Sequence, residues 1–254
     1  MSRHPLVLIL SAAAWAGFVA VTLWTVAFLA DVGVSPTVDG PQRTSTAVAV
    51  TVDVALLLLF AVQHSVMARP RVKAVLGRRV PAALERTSYV LATDVCLMLL
   101  LVLWQPWGGP VWHVGGPTGV VLWWLFGAGW LLAIAATFAV DHLELTGLRQ
   151  AGWSTPRPAA GSGALTVDGL HAVVRHPLMT GLLLAFWATP RMGASHLLFA
   201  VVMSAYVAVG IRFEERELRR TFGPAYDAYA ARVPALLPGL PRRTGGRRLP
   251  AVLP

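Results

Sequence analysis

Five nearly unbroken apolar stretches, 6–30, 47–66, 89–104, 120–140 and 178–211, alternate with polar and basic segments along this chain. Neither 6–30 nor 120–140 contains a charged residue. Each is long enough to cross a bilayer, which takes roughly 20 apolar residues in a helix. The first stretch exceeds the apolar core of about 7–15 residues found in a removable leader. The one plausible cleavage point, before Asp31, would put Phe28 where a small residue is needed. A retained span is expected. The last stretch is interrupted at Thr189-Pro190-Arg191-Met192-Gly193. Proline removes a backbone donor and disfavours helix at the residue before it, so a turn is predicted there. The two arms, 178–190 and 192–211, hold 13 and 20 residues, about 20 and 30 Å of helix. The fold class expected is all-α: a polytopic transmembrane helix bundle with a C-terminal transmembrane helical hairpin and a cytosolic cofactor pocket. The whole chain, 1–254, reads as one domain, with 212–240 as a cytosolic site segment and 241–254 as a flexible basic tail.

Charge orients these spans. Arg69, Arg71, Lys73, Arg78, Arg79 and Arg86 lie in the second connection, and Arg149, Arg157 and Arg175 in the fourth. Nine arginines follow from Arg212 onward. With Arg3 on the same side, 19 of the 21 basic residues share one face, Arg43 and Arg191 being the exceptions. Basic loops mark the cytoplasmic side, so both ends are expected inside, in a bacterial inner membrane. Trp104, Trp107, Trp112, Trp123 and Trp124 bracket the basic-poor loop and read as an aromatic belt at the outer interface.

Composition agrees. Of 254 residues 56% are hydrophobic and 13% charged, about half the charge of a soluble domain, and the mean hydropathy is +0.63. The formal charge of +9 comes from the loops and tail that face anionic lipid. The bilayer, not nucleic acid, is therefore the expected partner, and no obligatory protein partner is evident. Cys96 is the sole cysteine and lies in an apolar stretch, which excludes an internal disulfide or a Cys-rich metal site. His64, His142, His171 and His176 lack any metal-binding spacing, and no metal is expected. No glycine-rich phosphate loop follows a predicted strand, so dinucleotide binding is excluded. Asp53 and Asp94 fall within apolar spans, where an ionisable residue is functional by default. An interhelical hydrogen bond is the preferred reading for both.

The chemistry is concentrated in the last third. Val174-Arg175-His176-Pro177-Leu178-Met179-Thr180-Gly181 opens the first arm of the hairpin. Phe213-Glu214-Glu215-Arg216-Glu217-Leu218 closes the second, followed by Phe222-Gly223-Pro224-Ala225-Tyr226-Asp227-Ala228-Tyr229 and Val233-Pro234. A hairpin would bring a cation, an imidazole, carboxylates and two phenols together beside an apolar wall. That set suits a small zwitterionic, aromatic cofactor: a carboxylate for its ammonium, Arg or His for its carboxylate, tyrosine faces for its ring. The alternative is a solvated acidic-basic helix end.

The Arg-His-Pro…Gly, Glu-Glu…Leu, Phe-Gly…Tyr…Tyr and Val-Pro series resembles the isoprenylcysteine carboxyl methyltransferase-like superfamily of membrane enzymes. The resemblance implies an S-adenosylmethionine site over a transmembrane hairpin. It points to Arg175, His176, Met179, Gly181, Glu214, Glu215, Tyr226 and Tyr229 as cofactor-binding positions, Met179 standing where most members carry tyrosine. Over nearly the whole chain, Gln63-His64-Ser65-Val66-Met67-Ala68-Arg69-Pro70, Glu85-Arg86-Thr87-Ser88-Tyr89-Val90-Leu91, Asp141-His142-Leu143-Glu144-Leu145-Thr146-Gly147-Leu148-Arg149-Gln150 and Leu184-Ala185-Phe186-Trp187-Ala188-Thr189-Pro190 are similar to the bacterial methanethiol S-methyltransferases. The activity this implies is methylation of a small thiol, methanethiol to dimethyl sulfide. Carboxyl or lipid-amine methylation, or a non-catalytic NnrU-like role, are the alternatives. A thiol is the weak form of the nucleophile, so a proton acceptor is sought. His64 and His142, each at the cytosolic end of a span, are the catalytic candidates, against the reading of a capping or interfacial histidine. Arg86 and Arg149 are expected to pair with Glu85 or Glu144 at the surface.

Overall fold

The computed structural model describes residues 5–33, 35–154, 165 and 167–239; the tail expected over 241–254 lies outside them. Helices α1 (Pro5–Leu29), α2 (Thr46–Met67), α4 (Ala82–Leu103), α5 (Gly116–Val140) and α8 (Ala194–Phe222) are each long and apolar enough to cross a membrane. The shorter apolar α7 (Pro177–Trp187), small helices α3 (Pro70–Leu76), α6 (His142–Leu145) and α9 (Pro224–Ala230), and a 3-10 turn at Gly169–Ala172 are the other helical elements among the described residues. The protein is an all-α polytopic bundle. Its only strands among the described residues are two short ones, β1 (Pro110–His113) and β2 (Arg191–Gly193).

Two helices are longer than their apolar stretches. Helix α4 starts at Ala82 rather than near 89. The polar turn Ala83-Leu84-Glu85-Arg86 is built of good helix formers, and Glu85 opposes the dipole of the first turn. Helix α8 continues past 211 through Glu214-Glu215-Arg216-Glu217-Leu218 and ends only at Gly223, whose φ of 52° suits glycine. Its 29 residues span about 43 Å, so its last turns project beyond the hydrocarbon. Hydropathy locates the lipid-embedded part of a helix; propensity and caps decide where it ends.

One core joins six helices. Phe28 of α1, Leu57 and Phe60 of α2, Leu100 of α4 and Trp104 just after it, Phe126 and Trp130 of α5, Phe186 of α7, and Phe199 and Met203 of α8 form a single buried cluster. The two arms of the hairpin are α7 and α8, joined by the turn at 188–193. Helix α7 packs mainly along α5, not along the second arm, because Gly129, Ala133, Gly181 and Ala185 let the two backbones meet. A Cβ on Gly181 would stand 2.5 Å from the Gly129 carbonyl oxygen and 2.6 Å from the Ala133 nitrogen. The turn itself is strand β2, paired antiparallel with β1, and Trp112 Nε1 donates to the Thr189 carbonyl at 3.0 Å.

Asp39 caps the start of α8 at the same end: Oδ1 accepts from the backbone N–H of His196 at 3.1 Å and Oδ2 from that of Gly193 at 2.6 Å. Trp104 is not a belt residue. It is fully buried and donates to the Val38 carbonyl at 3.1 Å, while Trp124 is 76% exposed. Asp53, also fully buried, accepts the Gln105 N–H at 2.9 Å where α4 ends. Asp94 lies against Gly17 of α1, and its Oδ2 makes no hydrogen bond among the described residues, so the interhelical bond expected of it is not formed there.

Candidate functional site

The Arg-His-Pro segment shapes one end of the site. A residue before proline is pushed away from helical backbone, and Pro177 then opens α7 at its first position. His176 is held by this at φ −124°, ψ 67°. Its ring is 3.3 Å from Glu214 Oε2 through Nδ1 and 3.2 Å from Glu215 Oε1 through Nε2. Arg175 donates from Nε and NH2 to Glu215 Oε1 at 3.0 and 2.6 Å, and from NH1 to the carbonyls of Ala230 and Val233. The backbone N–H groups of Arg175 and His176 donate to Pro234 and Ala235. Tyr229 reaches the His171 carbonyl at 2.7 Å, and Tyr226 is fully buried beneath the Arg219 guanidinium.

These contacts form a clasp that ties the start of α7 to the projecting end of α8, to α9 and to the segment after it. Arg175, His176, Glu214, Glu215, Tyr226 and Tyr229 are brought together as expected. Met179 is half-buried on the first turn of α7. Gly181 is not brought to the clasp: it lies on the face that packs against α5, where only a missing side chain allows the contact.

Burial opposes charge on His176, but Glu214 and Glu215 outweigh it and hold its pKa above the ordinary 6.5. The two carboxylates facing both ring nitrogens call for the doubly protonated ring. A pKa raised on folding gives stability that is complete below about pH 6.5 and lost as the pH rises through the folded value. The difference in thermal midpoint between the unaltered protein and His176→Gln should therefore be constant below pH 6.5 and shrink above it. A difference that instead grows with pH would contradict a charged His176.

His64 sits deeper, on α2. The Tyr89 hydroxyl of α4 lies 3.0 and 2.9 Å from its two ring nitrogens, with Thr93 Oγ1 3.4 Å from Nδ1. Phe60 stacks on one face at 5.4 Å, and Tyr206 of α8 stands edge-on at 6.4 Å. Tyr206 was not legible as a site residue. Only its place on α8, about two and a half turns before Glu215, connects it to the clasp.

His142 has surroundings different from those of His64. Trp15 Nε1 donates to its Nε2 at 3.0 Å, and its Nδ1 faces Thr137 Oγ1 at 3.0 Å. The Thr137 hydroxyl already donates to the Ile134 carbonyl. The ring stacks on Phe138 at 4.4 Å. Burial, against the pull of Asp141, keeps its pKa below 6.5. Both nitrogens of a neutral imidazole are thus engaged, and His142 pins the end of α5 to α1 instead of presenting a lone pair to a substrate.

Arg149 does not pair with Glu85 or Glu144 either; it meets Asp141 at 2.7 Å. Arg86 donates Nε to the Leu145 carbonyl at 2.7 Å and lies over the Tyr89 ring. Beside it a cleft of about 370 Å³ opens between α3, α4 and α6.

Over 96% of its length the chain is 41% identical to methanethiol S-methyltransferase 2 of Bradyrhizobium diazoefficiens, covering 95% of that protein. The methanethiol S-methyltransferase of Mycobacterium tuberculosis is 42% identical over 96% of this chain and 100% of its own. More distantly, a Nurim homolog of Drosophila melanogaster is 29% identical over 71% of this chain and 74% of that protein. No family model and no solved structure matches the chain.

Proposed function

The chain belongs to the methanethiol S-methyltransferase family, and on that footing we propose that it transfers a methyl group from S-adenosylmethionine to methanethiol, releasing dimethyl sulfide, at the basic end of the six-helix bundle. That end is assigned to the cytoplasm of a bacterial inner membrane, with both termini inside, on the segregation of basic loops. The observation that carries the reading is full-length similarity to bacterial enzymes of that name. The site residues fit such a donor. Glu214 keeps a half-exposed carboxylate next to the clasp, and the Tyr226 hydroxyl is buried beside Glu215. With Met179 and the Tyr229 ring, these would hold the donor, while Arg175, His176 and Glu215 fix the geometry of the clasp.

When bound, the donor supplies an electrophilic methyl group on a positively charged sulfur. His64 is the proton acceptor. The Tyr89 oxygen can accept the N–H of one ring nitrogen, which leaves the lone pair of the other to take the thiol proton. Phe60, stacked on the ring, keeps water from one face. A positive donor nearby favours the thiolate, so a moderate base suffices.

Methanethiol has two heavy atoms, and the best tiny ligands gain at most about 1.5 kcal/mol per heavy atom. Affinity is therefore weak, and selectivity comes from excluding larger thiols. Purified protein offered methanethiol, ethanethiol, a prenylated cysteine analogue and a phospholipid amine in parallel should methylate the first, much less of the second, and neither of the others. Preferential methyl ester formation on the prenylated analogue would replace the thiol reading with carboxyl methylation.

A further inference from the structure

The charges of the clasp are largely matched to one another. Arg175 directs four donor contacts at Glu215 and two carbonyls, which leaves it one of five N–H groups. A ligand with its own carboxylate and ammonium needs partners that are not already paired. They are found in the cleft between α3, α4 and α6.

That cleft is about 370 Å³, within the ~300–1,000 Å³ typical of small-molecule sites and far larger than methanethiol requires. Lys73 and Arg86 face it with Glu85 and Glu144, beside an apolar strip of Val140 and Leu145. Among the described residues Lys73, Glu85 and Glu144 form no ion pair. Arg86 uses only Nε, on the Leu145 carbonyl, and its terminal nitrogens make no hydrogen bond among the described residues. A narrower throat of about 20 Å³ shares Lys73, Glu85 and Arg86 and adds Met67 and Tyr89. Tyr89 is the residue hydrogen-bonded to His64. The two cavities thus share three lining residues, and the smaller one reaches the tyrosine that contacts His64. On the same side of the molecule Arg69, one turn before Lys73, lies over the ring of Phe213, the chain neighbour of Glu214.

Cations and carboxylates that share a cavity without pairing are complementary to a small zwitterion. We propose that this cleft holds the amino-acid end of the methyl donor, its carboxylate on Arg86 and Lys73 and its ammonium on Glu85 and Glu144. Charge-assisted bonds of this kind are about twice as strong as neutral ones. The inference rests on the methyltransferase reading above. It adds Lys73, Glu85, Arg86 and Glu144 to that reading as donor-binding residues.

The test is calorimetric titration of the purified protein in detergent with two probes. S-adenosylhomocysteine carries the amino-acid end; 5′-methylthioadenosine lacks it. Lys73 and Glu144 are exposed, so Lys73→Met and Glu144→Gln do not threaten the fold, and Arg86→Met serves as the more severe variant. Each should weaken S-adenosylhomocysteine binding, Arg86→Met by about ten- to a hundredfold, with methylthioadenosine affinity unchanged. Unchanged binding of S-adenosylhomocysteine by all three variants would overturn the proposal while leaving the methyltransferase reading in place. Equal weakening of both probes would overturn it too, by assigning these residues to the nucleoside or to the fold. Failure of the unaltered protein to bind S-adenosylhomocysteine would remove the methyl-donor reading and the proposal together.

Discussion

Replacing His64 with alanine should lower turnover about a hundredfold or more while donor affinity stays near that of the unaltered protein. The expectation follows from its surroundings. The ring is oriented by Tyr89 and braced by Phe60, and in the proposed role its unprotonated nitrogen takes the thiol proton. The deficit should shrink as the pH rises, because more of the acceptor then arrives as thiolate. Initial rates of dimethyl sulfide release from pH 6.5 to 9 would measure this. A small loss that does not change with pH would make His64 a packing residue between α2, α4 and α8.

The second large effect concerns Glu215. Its side chain and that of Arg175 are each 12% exposed, with their closest atoms 2.6 Å apart. Removing one partner of a buried ion pair typically costs about 3–5 kcal/mol, because the other charge is left without its counterpart. His176 and Arg219 also meet the Glu215 carboxylate. Glu215→Gln should therefore lower the thermal midpoint substantially and abolish measurable S-adenosylhomocysteine binding. Glu214→Gln, at a half-exposed carboxylate, should leave the midpoint nearly unchanged. Equal, small effects at both positions would mean that the clasp does not organise this end of the molecule.

The spans and the convergence of the Arg-His-Pro, Glu-Glu and Tyr…Tyr segments were legible in the sequence. Both rest on strong local signals: apolar length in the one case, a broken apolar run that folds back in the other. Residues whose role depends on distant partners were not. His142 reads as a base until Trp15, 127 positions away, is found to donate to it. Gly181 reads as part of a cofactor motif, but it is the α5 backbone that requires it to be glycine. Arg86 reads as a surface charge, although its Nε bonds the Leu145 carbonyl and its cation covers Tyr89. The charged cleft has no signature along the chain, since its walls come from three helices that meet only in the fold. Trp104 follows the same rule. Its position at a span end suggests the interface, whereas its bond to the Val38 carbonyl places it in the core.

The central claim is methyl transfer to methanethiol, and isotopic labelling tests it most directly. The purified protein is given methanethiol and S-adenosylmethionine with a deuterated methyl group, and the headspace is analysed by mass spectrometry. The account predicts dimethyl sulfide carrying one labelled methyl group, formed in proportion to enzyme and nearly lost in His64→Ala. No labelled dimethyl sulfide from folded protein that binds S-adenosylhomocysteine would contradict it.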